Sequence, residues 1–569
     1  MMMSDSDTGA GVGPVGDRDE GMDTMSTVGE PTWIGRPGRA LAGWVEMPSS
    51  RRARGVVILA PTMGREGVSS YRSLRALAVR LAERGFASVR FDWRGDGNSA
   101  SAEGADVVAG WVEDLDVVHD EVLRIAGELP VHLVALRLGA SIAHRWGRPV
   151  SGRTILWEPI SGRAYLRLHQ KLRVLGTDIP VMPQESGTEL SGSFFTPAQV
   201  QHLKGLAAPK PAARLQDRAS LRVEEDRDTA EHLYFAAPRY ARIPYAAIDA
   251  IIDDLEEASP TASPLAAWHG VSTTAFTVDD AAVTETFVRV GPHALHAIET
   301  RPTGEVLQAC AFTSAGGEPL DGPTGLWTQA ARRAAARGAL CLRSERRGLG
   351  VHLDPAVPVE PNPYTLAAVE DAAASIQHLR SRTDRPVVAV GLCVGAWLFL
   401  RACATAAPDR ILAFDNIVWQ PDPRFVERYF KEPLLRRFLT ESPGVGDDAD
   451  EGIRAPGART RIKEALKRGR EVSRRRPLPV RRVLARRGLA EYPYELLSLA
   501  PRTTRIDLQF GAAAARHFDD VHGQESLARL RAEGRPIDVA QWDDLDHALL
   551  AETARRRSLE SVVRAVTGP

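Results

Sequence analysis

Two distant stretches of this chain repeat one arrangement, and any fold must accommodate it twice. In the first, an amphipathic helix expected over residues 71–84 stops at Gly85. A strand over 87–92 follows, then Asp92-Trp93-Arg94-Gly95-Asp96-Gly97. In the second, a helix expected over 326–337 stops at Gly338, a strand covers 339–343, and Glu345-Arg346-Arg347-Gly348-Leu349-Gly350 follows in register. Seven residues separate the closing glycine from the acidic residue in both copies. The next tight turn comes 45 residues after the acid in one copy (Asp92 to Arg137) and 48 in the other (Glu345 to Cys393). Glycine past a helix end suits the left-handed residue that closes it. Strands alternating with helices imply α/β domains with a parallel, doubly wound sheet. The shared spacing implies that one whole domain is duplicated.

The expected organisation is therefore a disordered tail over 1–30, a first domain over 31–285 and a second over 286–569. An insertion at about 420–500 falls between consecutive strands of the second domain, where a lid would sit. The tail is rich in Met, Gly, Asp, Ser and Thr and has no periodicity. With 44% hydrophobic and 25% charged residues, the 569-residue chain has the composition of a globular protein. A formal net charge of −1 argues against coating nucleic acid. The four cysteines, Cys310, Cys341, Cys393 and Cys403, have neither metal-ligand spacing nor the look of a disulfide framework. A reducing cytoplasm is the expectation, with no metal and no cofactor. No apolar run reaches the ~18 residues of a membrane span, and the acidic N-terminus lacks the blocks of a signal peptide.

The richest stretch chemically is Pro386-Val-Val-Ala-Val-Gly391-Leu-Cys393-Val-Gly395-Ala-Trp397. A β-branched run stops at Gly391, and an apolar helical segment begins almost at once. This is the strand–turn–helix of a nucleophile elbow, Gly-x-Nuc-x-Gly, with cysteine at the centre. The glycines Gly391 and Gly395 let strand end and helix start nearly touch. At a helix N-terminus, Cys393 would feel a dipole that favours thiolate. The bland alternative is an inert buried thiol.

Taken together, these stretches resemble the α/β-hydrolase superfamily. Within it they look like serine-aminopeptidase-type hydrolases associated with exosortase and exopolysaccharide genes. The resemblance rests on Ala60-Pro-Thr-Met-Gly-Arg-Glu66, residues 90–99, Leu136-Arg-Leu-Gly-Ala140 and Leu156-Trp-Glu-Pro159 in the first half. In the second half it rests on Ala315-Gly-Gly-Glu318, the Cys393 elbow, Trp419-Gln-Pro421 and Asp546-His547. The resemblance implies Cys393 as nucleophile and His547 as base. The acid is less clear, since Ala512 to Ala515 stand where the family has an aspartate. Asp519 and Asp520 come later, and Asp415 follows the preceding strand; any of the three could serve. Backbone amides of Val394 and of Ser314 or Ala315 would form the oxyanion hole. In the first half Arg137 holds the nucleophile position beside Gly139, so that copy is expected to be catalytically silent. An ion pair of Arg137 with Asp92 or Glu158 is the simplest role for it.

Residues 459–487 are strongly basic, with Arg474-Arg475-Arg476 and Arg481-Arg482. A lid attracting an anionic or carrier-linked acyl substrate and a solvated helix face both explain that charge. The reading that follows is acyl hydrolysis or transfer from an ester or thioester on Cys393. The competing reading is a pseudo-hydrolase that binds a ligand or acts as a scaffold. Nucleic acid fits poorly without interleaved aromatics, and the oligomeric state stays open.

Overall fold

The computed structural model describes residues 29–210, 219–235, 241–349, 363–430 and 478–567. Two large sheets dominate. The first holds β1 (Glu30–Ile34), β2 (Leu41–Glu46), β3 (Val56–Ala60), β4 (Ala87–Phe91), β5 (Val131–Leu136), β6 (Thr154–Trp157) and β7 (Ala219–Arg222). Their spatial order is β1-β2-β4-β3-β5-β6-β7.

The second sheet holds β8 (Thr273–Val278), β9 (Ala281–Val290), β10 (Leu295–Pro302), β11 (Gln308–Thr313), β12 (Ala339–Ser344), β13 (Val387–Leu392), β14 (Arg410–Phe414), β15 (Arg505–Phe510) and β16 (Ile537–Gln541). Its order is β8-β9-β10-β12-β11-β13-β14-β15-β16. With β8 set aside, the two orders coincide strand for strand over the length of the first. Both sheets are mixed rather than wholly parallel. Their opening strands pair antiparallel, both across the short turns that join consecutive strands and where the last of them meets the parallel set, while helical crossovers make the remaining strands parallel. The boundary expected after residue 285 falls inside β9, since the β8–β9 hairpin is bonded into the second sheet.

The buried central strands are nearly continuous apolar runs, as a sheet covered on both faces requires. Helix α1 (Gly64–Glu83) covers the first sheet and starts seven residues before the expected position. Its first turns carry Glu66, Ser69 and Ser70, polar yet buried, so no amphipathic pattern marks them. Helix α2 (Val107–Ala126) is capped by Asp106, which accepts from the Ala109 amide. Beyond β5 and β6 lie α3 (Leu138–Trp146) and α4 (Gly162–Gly176). The second sheet is flanked by α5 (Leu326–Ala335), α6 (Leu366–Arg382), α7 (Val394–Ala402), α8 (Ala512–Asp520) and α9 (Glu552–Thr567).

The two halves share a core. Trp33 stacks on Phe287 at 4.8 Å between ring centres and meets Phe276 edge-on. Trp44, Ala100, Val283, Ile298 and Leu320 belong to the same cluster.

Of the segment expected as a lid, residues 431–477 lie outside the described residues, and so do Arg474, Arg475, Arg476 and the tail over 1–28. Two helices, Leu478–Arg486 and Pro493–Leu497, precede β15. Arg481, in the basic stretch read either as an anion-attracting lid or as a solvated helix face, is buried. Its guanidinium donates to the carbonyls of Glu491 (2.8 Å) and Asp520 (3.3 Å). Among the described residues, no helix is long and apolar enough to cross a membrane.

Candidate active site

Strand β13 ends at Leu392 and α7 begins at Val394, leaving Cys393 alone to turn the chain. It does so at φ 51°, ψ −112°, a left-handed conformation costly for any residue with a side chain. A Cβ on Gly391 would lie 2.3 Å from the Gly395 carbonyl carbon, and one on Gly395 would press on Thr313. The glycines are thus a steric requirement of the turn. Gly391→Ala is expected to destabilise the protein by about 1–3 kcal/mol or more through backbone overlap. Chemical denaturation would read this as a lowered midpoint, and an unchanged midpoint would contradict the close approach.

Cys393 is 4% exposed. Its sulfur is near enough to His547 to act on its charge, and His547 Nδ1 is 3.3 Å from Asp415 Oδ2. Burial opposes a charge on the imidazole, but the Cys393 sulfur and the Asp415 carboxylate outweigh it. His547 is held protonated well above its ordinary range. About a third of the His547 side chain is exposed, so one edge of the site is open to solvent. Asp415 is 4% exposed and sits at φ 44° just after β14. Its Oδ1 accepts from the Gly511 amide at 2.7 Å, which leaves Oδ2 to face the imidazole. Asp519 and Asp520 are not brought to His547. Helix α8 starts directly after β15 and carries both to its exposed far end, where Asp519 accepts from Gln524.

Val394 is the first residue of α7, where an amide has no carbonyl one turn behind it. Ser314 and Ala315 are buried immediately after β11. Arg346 donates to the carbonyls of Ala315 (2.9 Å) and Gly316 (2.6 Å) and so fixes how that loop lies. Tyr364, which no motif singles out, is fully buried with its hydroxyl 3.8 Å from the Cys393 sulfur. Among the described residues no cluster of three or more His, Cys, Asp or Glu side chains could hold a metal ion.

The first half repeats the frame with other chemistry. Arg137 turns the chain at φ 55°, ψ −117°, nearly the angles of Cys393. A Cβ on Gly139 would lie 2.2 Å from the Pro61 carbonyl oxygen. Glu158, at φ 50° after β6, is the counterpart of Asp415 and accepts from the Glu224 amide at 2.6 Å. The bonded partner of Arg137 is neither Asp92 nor Glu158. It is Glu66, at 2.8 and 3.2 Å, because the early start of α1 delivers that carboxylate to the elbow. His169 reaches the same carboxylate at 3.3 Å, and the Tyr234 ring lies 3.9 Å beneath the guanidinium. Burial would raise the Glu66 pKa, yet His169 and Arg137 bring it down to about 2. This half offers a closed ion pair where the other offers a thiol.

A further correspondence lies beside each elbow. The Arg94 backbone amide and Nε both donate to Asp114, at 3.0 and 2.6 Å. Arg347 does the same to Asp371, at 2.7 and 2.9 Å.

Residues 51–200 match the family model described as serine aminopeptidase, S33. No curated protein matches the chain. Among solved structures, a lipase in its open form aligns at 15% identity and TM-score 0.34, covering 50% of this chain and 100% of that one. Est1E of Butyrivibrio proteoclasticus with ferulic acid bound aligns at 16% identity and TM-score 0.30, covering 40% and 99%. The acylaminoacyl peptidase of Pyrococcus horikoshii aligns at 12% identity and TM-score 0.31, covering 50% and 41%. With its sheet order and its strand–turn–helix elbow, this chain has an α/β-hydrolase fold, and its residues 51–200 are similar to the serine aminopeptidases, S33.

Proposed function

We propose that the protein is two fused α/β-hydrolase domains, of which the second is a thiol-dependent acyl hydrolase or acyltransferase and the first does no chemistry. The observation that carries this reading is the placing of the His547 imidazole between the Cys393 sulfur and the Asp415 carboxylate. The Cys393 sulfur attacks the carbonyl carbon of an ester or thioester, and the amides of Val394 and of Ser314 or Ala315 receive the developing oxyanion. His547 gives its proton to the departing alkoxide or thiolate, leaving an S-acyl enzyme. Water then attacks with His547 as base, or a second thiol or hydroxyl takes the acyl group. Asp415 holds the imidazole by Nδ1, so that Nε2 serves the sulfur. A cysteine suits thioester exchange, since the acyl group moves between sulfurs of similar leaving ability. A small-molecule or carrier-linked acyl compound in a reducing cytoplasm is the proposed setting, where four unbridged cysteines would persist.

Intact-mass spectrometry after incubation with p-nitrophenyl esters and acyl thioesters tests this. Wild type is expected to gain the acyl mass and Cys393→Ala to gain none. A folded wild type that neither acquires an adduct nor turns over any of the panel would favour the second reading, a ligand-binding pseudo-hydrolase. The closed Arg137–Glu66 pair in the first half favours that reading for that half at least.

A further inference from the structure

The loop that carries His547 is not held by the second half alone. Asp546 organises its backbone, accepting from the amides of Ala548, Leu550 and Ala551 at 3.2, 2.8 and 2.9 Å. Beyond those bonds the loop is gripped by first-half residues. The Glu552 amide, at the first position of α9, donates to Glu189 Oε1 at 2.8 Å. The Gly192 amide donates to the Leu550 carbonyl at 3.1 Å. Glu189 and Gly192 belong to the hairpin Thr188–Leu190/Ser193–Phe195, which α4 supports from below.

The grip is charged and dry. Arg173 of α4 donates from Nε to Glu189 Oε1 at 2.6 Å, and both side chains are 1% exposed. The remaining guanidinium nitrogens donate to the carbonyls of Ile179 and Pro180, and Glu189 Oε2 accepts from the Met182 amide. Every guanidinium nitrogen of Arg173 and both carboxylate oxygens of Glu189 have a partner, so the geometry of the pair is over-determined. The contact is also close. A Cβ on Gly176 would lie 2.8 Å from Leu550 Cδ1, and Ile179 packs against the hydrophobic core of the second half.

We infer that the silent half serves the Cys393 site directly, the buried Arg173–Glu189 pair acting as a positioning device that fixes the His547 loop and thereby the reach of the imidazole to the thiol. This rests on the thiol–imidazole reading proposed above. The charged and titratable groups around the imidazole are Cys393 and Asp415 in contact, with Tyr364 against the sulfur. Asp546 adjoins it in sequence, and the charges of Arg173 and Arg65 are felt at Asp546. Loss of the grip lets the loop relax away from the sulfur while leaving Cys393, Asp415 and the elbow in place.

The test is the pH dependence of Cys393 carbamidomethylation by iodoacetamide in the full-length protein, followed by peptide mass spectrometry. It needs no knowledge of the substrate. Wild type is expected to react at pH 6, and His547→Ala is expected to lose about tenfold there. Glu189→Ala is expected to fall most of the way to His547→Ala. Glu189→Gln, which retains an acceptor for the Glu552 amide, is expected to recover most of the rate. A merely structural role would lower thermal stability and leave the pH profile where it was. Should Glu189→Ala fail to fold, Glu552→Pro removes the same amide donor at a first helical position that tolerates proline, and is expected to shift the profile alike. A folded variant of either kind with the wild-type profile overturns the inference. Identical profiles for wild type and His547→Ala would instead sink the thiol–imidazole reading beneath it.

Discussion

Glu285→Ala is expected to destabilise the protein by about 3–5 kcal/mol, the cost of removing one partner from a buried ion pair. Glu285 is fully buried and accepts from Arg332 at 2.8 and 3.2 Å, from Arg343 at 2.7 Å and from Thr300 at 2.9 Å. Without it, two buried guanidinium groups keep their charge and lose their counter-ion. Those arginines also tie the halves together. Arg332 donates to the carbonyls of Ser99 and Asn98, and Arg343 to Asn98 Oδ1, all across the boundary. The loss should therefore appear as one lowered unfolding transition in urea with an unchanged slope. A low-temperature transition of one half alone, with the other unaffected, would contradict the shared core. Burial opposes the charge on Glu285, but Arg332 and Arg343 overcome it and hold its pKa below the ordinary value. The sign follows from that direction. The stabilisation is present above the unfolded value of about 4.3 and is lost as pH falls through the folded one. Acid should thus unfold the wild type by the same route, and Glu285→Ala should be less sensitive to acid over that range.

Much of this architecture is legible in the chain because it is enforced by local sterics. The elbow at Gly391 and Gly395 could be read, since no side chain fits where strand and helix meet. The repeated strand order could be read because helix-closing glycines and buried strands leave strong periodic marks. The start of α1 could not, because its first turns are buried polar residues that break amphipathic spacing. Three carboxylates were open as partners for His547, and the repeated strand order carried a signal in favour of Asp415. Glu158 follows Arg137 by 21 residues and Asp415 follows Cys393 by 22, so the position after the sixth shared strand carries a carboxylate in both copies. Asp519 and Asp520 lie away from His547 because α8 begins without a loop and carries them to its far end. What lay beyond sequence reasoning was every contact that joins distant segments. Glu66 reaching Arg137, Arg173 and Glu189 meeting Glu552, and Glu285 between two arginines leave no local pattern. They form only once the fold brings segments far apart in the chain together.

His547→Ala is expected to lower turnover of any ester or thioester by about 10²–10⁴-fold, the range for loss of a positioned general acid–base. Its effect on the thiol separates this from a purely structural loss. A cysteine paired with an imidazolium commonly has its pKa lowered by about three units. At pH 6 that raises the thiolate fraction by roughly two orders of magnitude. Nucleophilicity falls with basicity by a Brønsted slope of about 0.4–0.5, which returns about twentyfold. The thiolate fraction wins, and the net advantage of the pair is about tenfold at pH 6, shrinking and then reversing as the unpaired thiol ionises at higher pH. The other thiols do not obscure this readout. Cys310 and Cys341 are fully buried, and burial pushes Cys403 up to about 12. The same interaction leaves a mark on stability. His547 is held protonated above its unfolded value, so its contribution is fully present below about pH 6.5 and is lost as pH rises through the folded value. His547→Ala should accordingly cost more stability at pH 6 than at pH 9, read by urea midpoints. An equal cost at both, with an unchanged alkylation profile, would mean that the imidazole packs beside Cys393 without sharing its proton.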